Sequence, residues 1–253
     1  MSTRKQTVWQ SIKDLEGGLI VSCQASAGEP LAAPTHILAL ALSAIAGGAK
    51  GLRLEGVENI QTVKRSSRLQ IGVPICGLVK SNKVASEDRM KTPYITNCFA
   101  DAAAIANAGA DIIALDATAR PRPDGSTAAE TIDKIHKELD KPVWADVATF
   151  AEGIAALEAG ADIVSTTLFG YTEDTAIPRE QGPGFDLLKE LVNHSSVPVI
   201  LEGRVWIPEE VKQAFELGAY AVVVGSAITR PQLITERFVK SIPARRPKKS
   251  SVS

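Results

Sequence analysis

Lys80 closes the apolar run Gly77-Leu78-Val79, and Glu202 closes Val199-Ile200-Leu201. An amine and a carboxyl, each brought toward neutrality by its surroundings, can take a proton from carbon and return one. Burial beside a cation such as Arg53 lowers a lysine pKa. A partly apolar wall raises that of a carboxylate. Other apolar runs end the same way, at Gln24, Arg53, Asp116, Asp146 and the triplet Ser165-Thr166-Thr167. A single charged residue at such a place is ordinarily a solvated loop residue. A whole ring of them converging on one rim costs stability unless it pairs internally or serves a substrate. Internal pairing stays open at this level: Lys80 with Asp116 or Glu202, and Glu202 with Arg53 or Arg204. The three histidines, His36, His136 and His194, fall in helical stretches or helix-side turns, so the rim has no histidine base. No Cys/His spacing suits a metal, and neither metal nor cofactor is expected.

A second group suits an anion. Glu202-Gly203-Arg204 and Val224-Gly225-Ser226-Ala227-Ile228-Thr229-Arg230-Pro231 each set glycine beside a hydroxyl or a guanidinium. Gly203 and Gly225 admit close backbone approach, Ser226 offers O–H and N–H, and Arg204 or Arg230 supplies charge and a planar fork. A helix starting there would add its N-terminal dipole. Two ordinary tight turns are the alternative.

These residues share a rim only if the runs are parallel strands. Two signals argue that they are. GGAK at Gly47–Lys50, AGAD at Ala108–Asp111, AGAD at Ala159–Asp162 and LGAY at Leu217–Tyr220 each follow a helical stretch and precede a short apolar run. The intervals, roughly 50–60 residues, hold two βα units of about 30 residues each. Between them VPI at Val73–Ile75, KPV at Lys141–Val143 and VPV at Val197–Val199 place proline where a strand can begin. With Gly18–Cys23 the expected strands are 18–24, 51–54, 74–80, 111–116, 142–146, 162–166, 198–202 and 221–225. Amphipathic stretches lie between them, such as Ala100–Ala108, Ala128–Glu138, Ala151–Ala159, Asp186–Val192 and Pro208–Leu217. Alternating strands and helices predict a single-domain α/β fold, a (β/α)₈ TIM barrel, with an open doubly wound sheet as the alternative. Active sites of such barrels lie at the C-terminal strand ends, and phosphate often binds in the loops after strands 7 and 8.

The chain has 253 residues, close to the size of one such barrel. Residues 1–14 read as a polar N-terminal segment without a signal peptide, 15–243 as the barrel, and 244–253, rich in Pro, Lys and Ser, as a disordered tail. A net charge of −1 gives no basic surface for nucleic acid, and no apolar run approaches a membrane span. Three cysteines without metal-ligand spacing suggest reduced thiols in the cytoplasm.

The motifs GLIVSCQA at Gly18–Ala25, the turn Arg53–Gly56, GLVK at Gly77–Lys80, ALDAT at Ala114–Thr118, STTLFGYT at Ser165–Thr172, EGR at Glu202–Arg204 and VVGSAITRP at Val223–Pro231 resemble, in order, those of the bacterial N-acetylmannosamine-6-phosphate 2-epimerases. The likeness spans roughly residues 15–240, and its specificity lies in the set. It implies a metal-independent, oligomeric phosphosugar barrel, with a dimer favoured. The implied reaction interconverts N-acetylmannosamine 6-phosphate and N-acetylglucosamine 6-phosphate in sialic acid breakdown. By the resemblance Lys80 and Glu202 match the catalytic pair. Gln24, Arg53 and Asp116 match positions holding the sugar and its acetamide, with Asp146 and Thr166 counted to the same wall. Arg230 and the Gly203 and Gly225 loops match the phosphate site, to which Arg204 and Ser226 are added. Glu55, Val147-Ala148 and the charged loop Ser81–Thr96 depart from the family pattern. A Schiff-base lyase, a non-catalytic phosphosugar sensor and an isomerase of another sugar phosphate are the competing readings.

Overall fold

In the computed structural model, which describes residues 9–26, 28–69, 72–178 and 181–243, the glycines of the recurring turn, Gly48, Gly109, Gly160 and Gly218, all have φ between +91° and +105°. A side chain is strained there, and glycine ends the preceding helix without that cost. Each turn leads into a parallel strand. The AGAD aspartates tie the sheet at the same place: Asp111 accepts from the Ile75 N–H and Asp162 from the Val143 N–H, at 2.9 and 2.8 Å.

The strands are β1 Gly18–Cys23, β2 Gly51–Glu55, β3 Ile75–Leu78, β4 Ile112–Asp116, β5 Val143–Asp146, β6 Ile163–Ser165, β7 Val199–Glu202 and β8 Ala221–Val224. They hydrogen-bond in sequence order and β8 returns to β1, closing the barrel. The expected (β/α)₈ architecture is borne out. The third strand is shorter than the expected 74–80, because Lys80 leaves the parallel ladder and pairs antiparallel with Ile95.

The major helices α2 Pro34–Ala46, α3 Val57–Lys64, α4 Phe99–Ala108, α5 Ala128–Lys134, α6 Phe150–Glu158, α7 Phe185–His194 and α8 Pro208–Glu216 cover the barrel. Short α1 Gln10–Lys13 precedes it, and α9 Ser226–Thr229 and α10 Pro231–Lys240 follow β8. Capping boxes start α5 at Thr127 and α6 at Thr149, each with glutamate three residues on. The stretch expected as one helix over Ala128–Glu138 is α5 followed by a π turn, Ile135–Leu139.

Strand alternation sorts the apolar residues into two cores. Leu52, Leu54, Ile113, Leu115, Val143, Val199, Leu201 and Val222 face the helices. Ile20, Cys76, Ile112, Trp144, Ile163, Ile200 and Val223 fill the barrel interior together with Ile12 and Leu15. Ile12 belongs to the segment expected to be polar, yet it is 2% exposed. Trp9 donates its indole N–H to Asp162, and Tyr220 donates its hydroxyl to the Ile12 carbonyl, so residues 9–15 close the barrel floor. The expected tail 244–253 lies outside the described residues.

Candidate active site

The same alternation carries one polar layer above the interior core. Register sets Ser22 beside Arg53, and Asp116 beside Asp146, which in turn faces Ser165. Arg53 lies at the centre, 1% exposed. Its Nη2 donates to Asp146 Oδ2 at 2.5 Å, its Nη1 stands 2.9 Å from Glu202 Oε2, and its guanidinium lies 5.1 Å from the Trp144 ring centroid. Burial opposes its charge, but the Asp146 and Glu202 carboxylates outweigh burial and hold its pKa above the ordinary value. Asp146 also accepts from the Ser165 and Thr167 hydroxyls, at 3.0 and 2.8 Å.

Glu202 closes this network on the cavity side. Thr167 donates to its Oε2 at 3.1 Å. Burial pushes its pKa up to about 7, against the pull of Arg53 and with help from Asp146. Lys80 shares the cavity with it. Burial holds the Lys80 amine below the usual lysine range; Glu55 opposes this and Arg53 reinforces it. The Lys80 backbone N–H donates to Glu55 Oε1 at 3.4 Å. The pair expected to carry protons therefore meets in one cavity of about 440 Å³, within the size range of small-molecule sites. Gln24 lies on the same wall, its Nε2 donating to Ser22 Oγ at 2.8 Å while its buried Oε1 has no partner among the described residues.

Gly203, Gly225, Ser226 and Arg230 also line this cavity. Gly225 passes so close to β1 that an added Cβ would lie 3.3 Å from Ser22 Cβ. Ser226 heads the four-residue α9 and lines the cavity. Thr229 fastens the turn by donating to the Ser22 carbonyl at 2.9 Å. Arg230 pairs with Glu29 of the loop after β1. Arg204 is engaged otherwise. It lines the cavity, but its guanidinium donates to the Pro178 and Gly170 carbonyls at 2.6 and 3.1 Å, over the Tyr171 ring. It staples the loop after β6 through both terminal nitrogens, leaving its buried Nε without a partner among the described residues.

Two residues counted to the sugar wall lie off the cavity. Thr166 falls on the outward phase of β6; its hydroxyl donates to the Glu202 carbonyl and accepts from the Glu202 N–H. Thr167 is the residue that reaches the cavity. Alternation from the inward Ser165 already pointed to Thr167, a signal the reading of the triplet missed. Asp116 is fully buried and lies off the cavity wall, bound to Arg120 at 2.6 Å and to Thr118. Tyr94 and Ile95, from the loop after Lys80, form the wall instead. That return limb could not be placed from sequence, because pairings between distant segments, such as Lys80 with Ile95 and Asp116 with Ile95, bring it there. Among the described residues, no group of His, Cys, Asp and Glu could hold a metal ion, and no helix is long and apolar enough to cross a membrane.

The barrel is shared with known proteins. The family described as "Putative N-acetylmannosamine-6-phosphate epimerase" matches residues 37–244. A protein of Caldanaerobacter subterraneus named "Putative N-acetylmannosamine-6-phosphate 2-epimerase" is 44% identical, covering 93% of this chain and 95% of its own. One of the same name from Thermosynechococcus vestitus is 47% identical, over 91% and 95%. The solved N-acetylmannosamine-6-phosphate 2-epimerase of Clostridium perfringens superposes with a TM-score of 0.83 at 40% identity, covering 96% of this chain and all of that one. A thiamine phosphate pyrophosphorylase from Pyrococcus furiosus shares the fold alone, at 15% identity and a TM-score of 0.56. With a family match over residues 37–244 and identities of 44% and 47% over more than nine-tenths of its length, this chain belongs to the N-acetylmannosamine-6-phosphate epimerase family.

Proposed function

We propose that this chain interconverts N-acetylmannosamine 6-phosphate and N-acetylglucosamine 6-phosphate, a step of amino sugar and sialic acid catabolism. The single observation that carries the mechanism is the shared cavity of Lys80 and Glu202, an amine held below and a carboxyl held above their ordinary pKa values. The C2 proton of the open-chain sugar lies α to an aldehyde, so its removal leaves an enolate. Lys80, as the free amine, takes that proton from one face. Glu202, protonated for part of the time near neutral pH, returns one to the other face. Arg53 stabilises the charge growing on the carbonyl oxygen. Arg230 and the Gly203, Gly225 and Ser226 backbone hold the phosphate, whose binding energy orients C2. Gln24, with its free buried carbonyl, receives a donor of the sugar.

The buried amine also favours a second reading, a Schiff-base lyase acting on a phosphorylated sugar. Proton NMR in D₂O with N-acetylmannosamine 6-phosphate separates the two. Formation of N-acetylglucosamine 6-phosphate with deuterium at C2 supports the epimerase. Cleavage products and inactivation by borohydride support the lyase, and binding without turnover leaves a sensor. The chain acts as a homo-oligomer, a dimer on this reading, because Phe238, Val239 and Ile242 leave an apolar surface exposed at its end; light scattering tests that. Free Cys23, Cys76 and Cys98 fit a reducing cytoplasm.

A further inference from the structure

Arg120 lies off the cavity wall, and its side chain is 11% exposed. Its guanidinium joins two elements. Nη2 donates to the buried carboxylate of Asp116 at 2.6 Å, and Nε to the Thr118 hydroxyl at 2.9 Å, both at the end of β4. Nη1 donates to the Arg89 carbonyl at 2.5 Å and reaches the Thr92 carbonyl at 3.5 Å, both in the loop after Lys80. That loop returns along residues 92–96. Ile95 pairs with Lys80, the Ser81 N–H donates to the Tyr94 carbonyl at 2.8 Å, and the Thr96 N–H donates to the Val79 carbonyl at 2.7 Å. On its other side the Asp116 N–H donates to the Ile95 carbonyl at 2.9 Å, and Arg122 donates to the Thr96 carbonyl at 3.1 Å. The limb so held sets Tyr94 and Ile95 on the cavity wall with Lys80.

We propose that Arg120 is a positioning residue for the proton transfer at Lys80: its fork fastens the 81–96 loop to buried Asp116 and keeps Tyr94 and Ile95 as the dry wall of the Lys80 site. The proposal rests on the epimerase reading. The geometry gives the reason for arginine here. A planar fork spreads its donors over three nitrogens and so serves a carboxylate on one edge and a carbonyl on the other, where a lysine offers all its donors from one point. It also gives a purpose to Asp116, which would be costly to bury without a partner.

The charged groups facing Lys80 are Glu55 and Arg53 from β2, Glu202 from β7 and Arg89 from the loop itself. A loosened loop admits water and withdraws Arg89. Both changes raise the Lys80 pKa, since burial and Arg89 each lower it in the closed site. The acid limb of the kcat/KM profile then moves to higher pH.

The test uses the full-length chain with Arg120→Gln and Arg120→Lys. Arg120→Gln is expected to lose about ten- to hundredfold in kcat, the scale of a misplaced catalytic group. KM and inhibition by inorganic phosphate should change little, the acid limb should move up, and trypsin should cut faster after Lys83, Arg89 or Lys91. Arg120→Lys, which keeps the charge facing Asp116, should fall between it and the unchanged chain. A folded Arg120→Gln with unchanged kcat and trypsin resistance overturns the proposal, as does a loss confined to KM. Should Arg120→Gln fail to fold, Asp116→Asn/Arg120→Gln removes the buried charge with its partner, and Arg120→Lys gives the same readouts; an unchanged kcat in Arg120→Lys overturns the proposal too. If the unchanged chain shows no turnover, the epimerase reading falls by itself. The positional claim is then decided by acetic anhydride labelling of Lys80 against pH, read by mass spectrometry. A labelling midpoint that Arg120→Gln leaves unmoved overturns it.

Discussion

Glu202 and Lys80 are displaced from their ordinary pKa values in opposite directions, and each displacement has a sign in stability. Between its ordinary 4.5 and about 7, folded Glu202 holds a proton that the unfolded chain has released. Its contribution therefore falls as pH rises through that window, and is lost above it. Glutamine does not titrate, so the melting temperature of Glu202→Gln should rise relative to that of the unchanged chain from pH 4.5 to 7. Parallel calorimetric scans would show this, and a flat difference would count against a raised carboxyl. Lys80 behaves oppositely. Below the usual lysine value the unfolded chain holds a proton that the folded chain sheds, so stability rises with pH there. Lys80→Met should abolish turnover while sparing inhibition by inorganic phosphate, because the proposed phosphate end lies in the turns after β7 and β8. Measurable turnover in the D₂O assay would remove Lys80 from the mechanism. The identities and approximate places of these two residues were legible, since each ends an apolar run. The choice among their possible partners was not. Only the register of β1, β2, β5 and β7 shows that Arg53, and not Lys80, makes the close ion pair with Glu202.

At the scale of elements, two arginines that look alike in sequence have different tasks. Arg204 follows Gly203 with φ of +63°, a left-handed turn that sends its guanidinium to the loop after β6. Arg230 ends α9 and borders the cavity, paired with Glu29. Arg230→Gln should therefore weaken inhibition by inorganic phosphate about tenfold, the effect of about 1.4 kcal/mol from one charge-assisted contact. Arg204→Gln should change it little and lower the melting temperature instead, because it leaves loop carbonyls unpaired. Equal loss of phosphate binding in both would return Arg204 to the phosphate site. Loops carry this ambiguity because their side chains follow no period. On strands the period of two decides, as it does between Thr166 and Thr167.

For the molecule as a whole, the barrel floor depends on residues outside the repeating units. Ile12 and Leu15 fill the interior layer begun by Ile20, Ile112, Ile163 and Ile200. Ile12→Ala should cost about 2–5 kcal/mol, as buried large-to-small changes do; denaturant unfolding would measure it, and a loss below about 1 kcal/mol would mean that the floor is loosely held. The sequence by itself determined the strand number and order, the parallel barrel, and which rim carries Gln24, Arg53, Lys80, Glu202 and the Gly203 and Gly225 loops. It could do so because those signals are local: a glycine with positive φ, a proline opening a strand, an alternation of two. The tertiary fold settled that Arg53 binds Asp146 and Glu202, that Asp116 turns from the cavity to Arg120, that the 92–96 limb supplies the wall beside Lys80, and that residues 9–15 plug the floor. Those outcomes rest on which distant charges and apolar faces meet when the barrel closes. A buried charge takes the partner that closure brings within reach, however many residues lie between them.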